Sequence, residues 1–218
     1  MISALLFDLD GTLIDTAPDF ALVLNGMRRR RQLSDIPFED IHATVSEGAR
    51  ALVELGFKLN EGDEGFEALR QELLDDYLQN LSQQSRLYTG MEDVLSWAES
   101  RDIPWGIVTN KPARYAEPLL RDLKLAERCA SLVCPDHVKQ RKPHPEPILL
   151  ACAQMNANAA TAVYVGDHRR DIEAGKNAGS TTVACTYGYI HSSDPAPSWG
   201  ADYTIETASE LVPILETL

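Results

Sequence analysis

Positive charge is scarce in this sequence: 20 lysines and arginines stand against 33 aspartates and glutamates, a net charge of −13. A field of that sign repels polyanions, so neither nucleic acid nor an anionic membrane is expected as a partner. The basic exception, Arg28 to Arg31, reads as a solvated helix end where cations favour the dipole, not as a phosphate-backbone patch. Long apolar runs are also missing, none approaching the roughly 20 residues that a membrane span needs. The opening "MISALLFDLDG" has no basic flank and no small-residue cleavage site, so no secretory signal is expected and a cytoplasmic location follows. Cysteine is sparse, and Cys129, Cys134, Cys152 and Cys185 form no CxxC pair and have no histidine partners at zinc-finger spacing. Buried, reduced thiols are the expectation. His137 and His144 lie in a stretch that also holds Pro135, Pro143 and Pro145, which suits a rigid loop better than a metal cluster.

What is present builds a core. With 218 residues, 44% of them hydrophobic, the chain fits one large domain or a core carrying a modest insert. Short apolar runs recur at Ala4 to Phe7, Trp105 to Thr109, Ser131 to Cys134, Ala162 to Gly166 and Thr181 to Gly188. Their length and flanking turn formers predict buried parallel strands. Helical patterns fall between them ("MEDVLSWAES", "ARYAEPLLRDL", "EPILLACAQM", "RDIEAGKNAG"), with Pro112 placed for a first turn and Gly179 for a C-cap. The alternation predicts an α/β protein, a Rossmann-like doubly wound parallel sheet with right-handed crossovers. Residues 15–86 break the alternation, since their apolar spacing is helical throughout ("FALVLNGM", "ARALVELGF", "FEALRQELLDDYLQNL"). The expected organisation is a catalytic core of 1–14 and 87–218 with an inserted all-helical cap of 15–86. Such a lid would lie over the carboxyl ends of the strands, exclude water and choose substrates.

The stretch "LLFDLDGTLIDT" ends the first apolar run with Asp8 and Asp10, followed at once by Gly11. Residues two apart in a strand point the same way, and like charges that close ask for a metal, a shared proton or both. Ordinary turn chemistry, with an aspartate cap and a glycine at positive φ, is the bland alternative. The remaining strand ends decide between them. They supply Thr109 and Asn110 from "VTNKP", Lys142 from "QRKPHPEP", and Asp167 and Asp171 from "VGDHRRD". Acids gathered at one point need a hard cation, and Mg²⁺ takes few carboxylates, several waters and a phosphate oxygen. Lysine and threonine suit the remaining phosphate oxygens.

In "DLDGT", "VTN", the lysine of "RKP" and "GDHRRD", taken in that order, the sequence resembles the haloacid dehalogenase superfamily over nearly its whole length, helical insert included. The resemblance implies that Asp8 is a nucleophile forming an aspartyl-phosphate. It makes Asp10 the general acid for the leaving alcohol and then the base for the attacking water. It also implies Mg²⁺ held by Asp8, the carbonyl of Asp10 and Asp167, with Asp171 in support. Lys142 and Thr109 would bind the phosphoryl group. An acid at position 10 points to a phosphate ester, because superfamily members with other leaving groups lack it. His168 departs from the small or acidic residue common after "GD", and is expected to turn away from the metal. For the substrate, "SEGARALV" places Gly48 and Arg50 at a loop-to-helix junction as in the phosphoglycolate phosphatase-like branch, where Arg50 would bind a carboxylate or stand as a solvated helical arginine. "TNKPARYAEPLL", "CPDHVKQRKPHPEP" and "YGYIHSSDPAPSWGAD" are similar to the N-acetylmuramic acid 6-phosphate phosphatases of cell-wall recycling. The expected partner is therefore a small phosphorylated metabolite, with 2-phosphoglycolate hydrolysis or phosphosugar mutation as alternatives and monomer or dimer left open. Tyr187, Tyr189 and Trp199 would suit a sugar ring or, more usually, a packed aromatic cluster.

Overall fold

The computed structural model describes residues 1–191 and 193–218, which form two compact units, Met1–Ile14 with Leu87–Leu218, and Asp15–Arg86. In chain order the strands are β1 (Ala4–Phe7), β2 (Ile14–Asp15), β3 (Arg86–Leu87), β4 (Trp105–Val108), β5 (Ser131–Val133), β6 (Ala162–Gly166), β7 (Thr181–Cys185) and β8 (Tyr203–Ile205). The helices are α1 (Ala17–Arg30), α2 (Phe38–Thr44), α3 (Ala49–Phe57), α4 (Phe66–Gln79), α5 (Met91–Glu99), α6 (Ala113–Asp122), α7 (Glu146–Gln154), α8 (Arg169–Ala178) and α9 (Leu211–Leu215). No helix among the described residues is long and apolar enough to cross a membrane.

Six strands of the first unit form one sheet in the order β5-β4-β1-β6-β7-β8, all pairs parallel. This is the Rossmann-like, doubly wound arrangement expected, and its order reverses at β1, between β4 and β6. Alternation along β1 explains why both faces are covered. Leu5 and Phe7 join a core with Met91, Leu95, Leu119 and Leu211, whereas Ala4 and Leu6 join one with Ile148, Ala151 and Ala174. Register aligns the strand ends, since Phe7 pairs with both Ile107 and Val165. The ladder runs one residue further, the Asp8 amide donating to the Val165 carbonyl at 2.9 Å.

The second unit holds α1 to α4. Helix α1 buries Phe20, Val23, Leu24 and Met27, and the Phe20 ring stacks on Tyr77 with centroids 3.9 Å apart. Arg28, Arg29 and Arg30 occupy the last turn of α1, as the dipole favours. They are not merely solvated: Arg29 pairs with Asp35, Arg30 and Arg31 with Glu72 on α4, and Arg30 also with Asp76. Helix α2 and the short strands β2, β3 and β8 escape the sequence patterns, β8 because three residues with one buried side chain carry too little periodicity.

Candidate active site

Every candidate from the strand ends stands just beyond the carboxyl edge of the sheet, at and beside its switch point. Asp8 follows β1, Thr109 follows β4 and Asp167 follows β6. Open α/β sheets bind ligands at this position. Asp8, Asp167 and Asp171 each offer a carboxylate oxygen, and these oxygens lie within 4.8 Å of one another. The carboxylate of Asp10 is not one of this trio.

Lys142 sits among them, 2% exposed. Its Nζ is 2.9 Å from Asp8 Oδ1 and 2.7 Å from Asp171 Oδ1, and it donates to the Val108 carbonyl and the Tyr164 phenol oxygen at 2.9 Å each. Burial alone would depress its pKa, but the charges of Asp171 and Asp8 outweigh burial and raise it. The ammonium therefore stays charged. Asp171 is engaged on both oxygens, since Oδ2 also accepts the His168 amide at 3.1 Å in a capping box that opens α8. His168 faces away from the trio: its Nδ1 accepts the Arg170 amide at 3.2 Å and its ring stacks on Trp199.

Asp167 is held by a cradle that the motif alone did not reveal. Thr12 Oγ1 donates to its Oδ1 at 2.8 Å and the Tyr189 amide to its Oδ2 at 2.9 Å. The walls are glycines of necessity. A Cβ on Gly11, whose φ is +82°, would stand 2.1 Å from Asp167 Oδ2, and one on Gly188 would stand 2.4 Å from Asp167 Cβ. The predicted strand 181–188 accordingly stops at Cys185, and the backbone turns to bring Gly188 and Tyr189 in. Tyr189 and Trp199 are buried, and Tyr187 donates to the Thr12 carbonyl at 3.1 Å while packing on Tyr88. The tail-loop aromatics are thus packed against the core unit, Tyr187 and Trp199 in separate apolar clusters, and do not line up as a platform for a sugar ring.

Thr109 is buried, and its Oγ1 accepts the Lys111 amide at 3.1 Å. The Asn110 side chain donates to the Lys142 carbonyl at 3.2 Å, tying the two loops together, and its own Oδ1 is buried without a partner. Lys111 is the residue that pattern reasoning missed. Its Nζ lies 2.7 Å from Asp10 Oδ1, and the signal was its place in "TNKP" directly after the threonine and asparagine. Arg50 and Gly48 belong to the other unit: Gly48 precedes α3 at φ +83°, and Arg50 pairs with Glu61 at 3.0 Å on an exposed face. The four cysteines are unpaired, Cys129 half-buried and the others buried, and burial pushes the Cys129 and Cys134 thiols up to about 11 and about 12. His137 Nδ1 accepts the Cys134 amide and His144 Nδ1 the Glu146 amide, as rigid-loop residues do.

The trio's electrostatics suit a cation. Burial is the largest cause lifting Asp8 to about 6, with Lys142 opposing it and Asp171 adding to it. Burial, then the charges of Asp8 and Asp171, lift Asp167 to about 8. Oxygen-only donors whose repulsion a hard divalent ion would offset are the donor set that Mg²⁺ takes. A measurable consequence follows. A folded-state pKa above the unfolded value stabilises the fold below the unfolded value, and that contribution is lost as pH rises through the folded value. The metal-free protein should therefore lose stability as pH rises through about 6 and then about 8. Melting scans should show Mg²⁺ raising Tm by several degrees more at about pH 9 than at about pH 5. An equal rise at both would mean that these carboxylates do not hold the ion.

This fold, with acids and a buried lysine collected at its switch point, defines an α/β enzyme with a strand-end site for an anionic group. The chain belongs to the haloacid dehalogenase-like hydrolase family, whose model matches residues 5–185, and it is a phosphatase of that family. It is 45% identical over 216 residues to the N-acetylmuramic acid 6-phosphate phosphatase of Pseudomonas putida, covering 99% of this chain and 97% of that one. It is 40% identical over 208 residues to a phosphoglycolate phosphatase of Xanthomonas campestris pv. campestris, covering 95% and 94% respectively. A crystal structure described as a predicted phosphoglycolate phosphatase from Haemophilus somnus superposes with a TM-score of 0.86 at 24% identity, over 98% of each chain, and shares the fold.

Proposed function

We propose that the chain hydrolyses N-acetylmuramic acid 6-phosphate, as a step of cell-wall recycling, through an aspartyl-phosphate on Asp8. The observation that carries the chemistry is the Asp8 carboxylate, ionised above about pH 6 and held 2.9 Å from the Lys142 ammonium. In the first half-reaction an Asp8 oxygen bonds to phosphorus as the ester P–O bond breaks, and Asp10 protonates the departing alkoxide. In the second, water attacks phosphorus and gives its proton to Asp10, and the Asp8 carboxylate is regenerated. Lys142 offsets charge on the nucleophile and the phosphoryl group, and Thr109 positions that group. Asp8, the Asp10 carbonyl and Asp167 would hold Mg²⁺, with Asp171 fixing Lys142 in support. When bound, the ion neutralises phosphoryl charge. Asn110 contributes its side-chain amide N–H to the phosphoryl group, while its buried Oδ1 is an acceptor that suits a substrate hydroxyl and not an oxyanion.

Likeness along nearly the full chain to the N-acetylmuramic acid 6-phosphate phosphatases, greater than to the phosphoglycolate phosphatase, supports the substrate assignment. Arg50 and Gly48 contribute to substrate choice and not to the chemistry. The test is phosphate release with Mg²⁺ from N-acetylmuramic acid 6-phosphate, N-acetylglucosamine 6-phosphate, 2-phosphoglycolate and glucose phosphates. The muramic ester should lead in kcat/KM by ~10²-fold, about 2.7 kcal/mol of discrimination. A lead by phosphoglycolate reassigns the enzyme to that ester, and isomer formation without free phosphate makes it a mutase.

A further inference from the structure

Among the described residues, Lys111 is the one lysine besides Lys142 that is buried beside an acid of the site. It is 9% exposed, on the turn between β4 and α6, and its ion pair with Asp10 at 2.7 Å leaves the two side chains 6% and 19% exposed. Burying an ammonium is costly unless a partner and hydrogen bonds compensate it. The same residue's amide donates to Thr109 Oγ1, so one turn places both the Thr109 hydroxyl and the cation. The site thus carries two lysine–aspartate pairs, Lys142 on Asp8 and Lys111 on Asp10. The first pair serves the nucleophile. The second has no task in the mechanism derived above.

We infer that Lys111 is the positioning residue for proton transfer by Asp10, anchoring its carboxyl through Oδ1 and stabilising the carboxylate left when the proton departs. The inference rests on the role proposed for Asp10. As the ester P–O bond breaks, its electron pair passes to the alcohol oxygen, which takes the Asp10 proton. A new carboxylate then appears beside the phosphoryl group, facing the Lys111 ammonium. Water later restores the proton. A cation 2.7 Å from that carboxyl offsets the negative charge that the transfer leaves on it, which matters most when the leaving group is a poor one. An alkyl alkoxide must be protonated to leave, whereas p-nitrophenolate need not be.

The test compares kcat/KM for the best sugar phosphate and for p-nitrophenyl phosphate in the wild type, Asp10→Asn, Lys111→Met, Lys111→Gln and Lys111→Arg, with melting temperatures alongside. Asp10→Asn should lose ~10³-fold on the sugar ester and far less on the aryl ester, within the range of general acid catalysis. Lys111→Met and Lys111→Gln should show the same split at ~10²-fold, and Lys111→Arg should recover part of it. If Asp10→Asn shows no split, the role proposed for Asp10 fails. If Asp10→Asn splits but both neutral Lys111 variants lose equally on the two esters, lose nothing or do not fold, Lys111 is structural and the inference is overturned.

Discussion

Asp8→Asn should lower kcat by at least ~10⁴-fold and abolish formation of a covalent phosphoenzyme, without unfolding the protein. The amide has nearly the shape of the carboxylate, so β1 and its backbone bond to Val165 are undisturbed, but it cannot supply the electron pair that attacks phosphorus. The stability outcome is the sharper part. Burial and the neighbouring Asp171 lift Asp8 to about 6 despite the Lys142 ammonium, so above that pH its charge is a net burden on the metal-free fold. Removing the charge should leave Tm without Mg²⁺ at about pH 8 equal to or above that of the wild type, and should shrink the rise that Mg²⁺ produces. Calorimetry with and without the ion, beside acid-quench labelling by radioactive phosphate ester, measures both halves. Retained labelling would remove Asp8 as nucleophile. A lower metal-free Tm would mean that the Lys142 pair contributes more than burial costs.

What the sequence reveals of this molecule depends on how local each signal is. Leu5 to Asp10 is legible because strand period, strand end and acid spacing coincide in six residues. The sheet order needs only the alternation of elements and the handedness rule. The helix-cap role of His168 and the double engagement of Asp171 arise from backbone geometry at the start of α8, which no spacing displays. The cradle around Asp167 joins Thr12 to Gly188 and Tyr189, which lie far from it in the chain. Lys111 was hidden for the opposite reason: a lysine before a proline at a helix start looks like surface, and only its pairing with an acid 101 positions away marks it as part of the site. The aromatic loop was more legible: Tyr189 and Trp199 suit a platform by type, but packing is the more usual fate of such residues, and both are buried.

Lys142→Met should be the most damaging single change in the core unit, costing both activity and stability. The side chains of Lys142 and Asp171 are fully buried, and that of Asp8 is 15% exposed. Breaking a buried pair from one side typically costs about 3–5 kcal/mol because the remaining charge is left uncompensated. For a chain of this size that corresponds to a Tm lower by on the order of 10 °C. Activity should fall by at least ~10³-fold, since the charge that offsets both the nucleophile and the phosphoryl group is gone. The pH dependence gives the mechanism away. Without the ammonium, the Asp8 carboxyl moves further above its ordinary range, and a raised folded-state pKa favours the fold most at low pH. The stability deficit should therefore be smallest near pH 5 and grow toward pH 8, as read by urea unfolding at each pH. Adding Asp171→Asn to Lys142→Met removes the uncompensated partner, so the double variant should be more stable than the single. A double variant destabilised by the sum of its parts would show that Lys142 acts through packing on Tyr164 and not through charge.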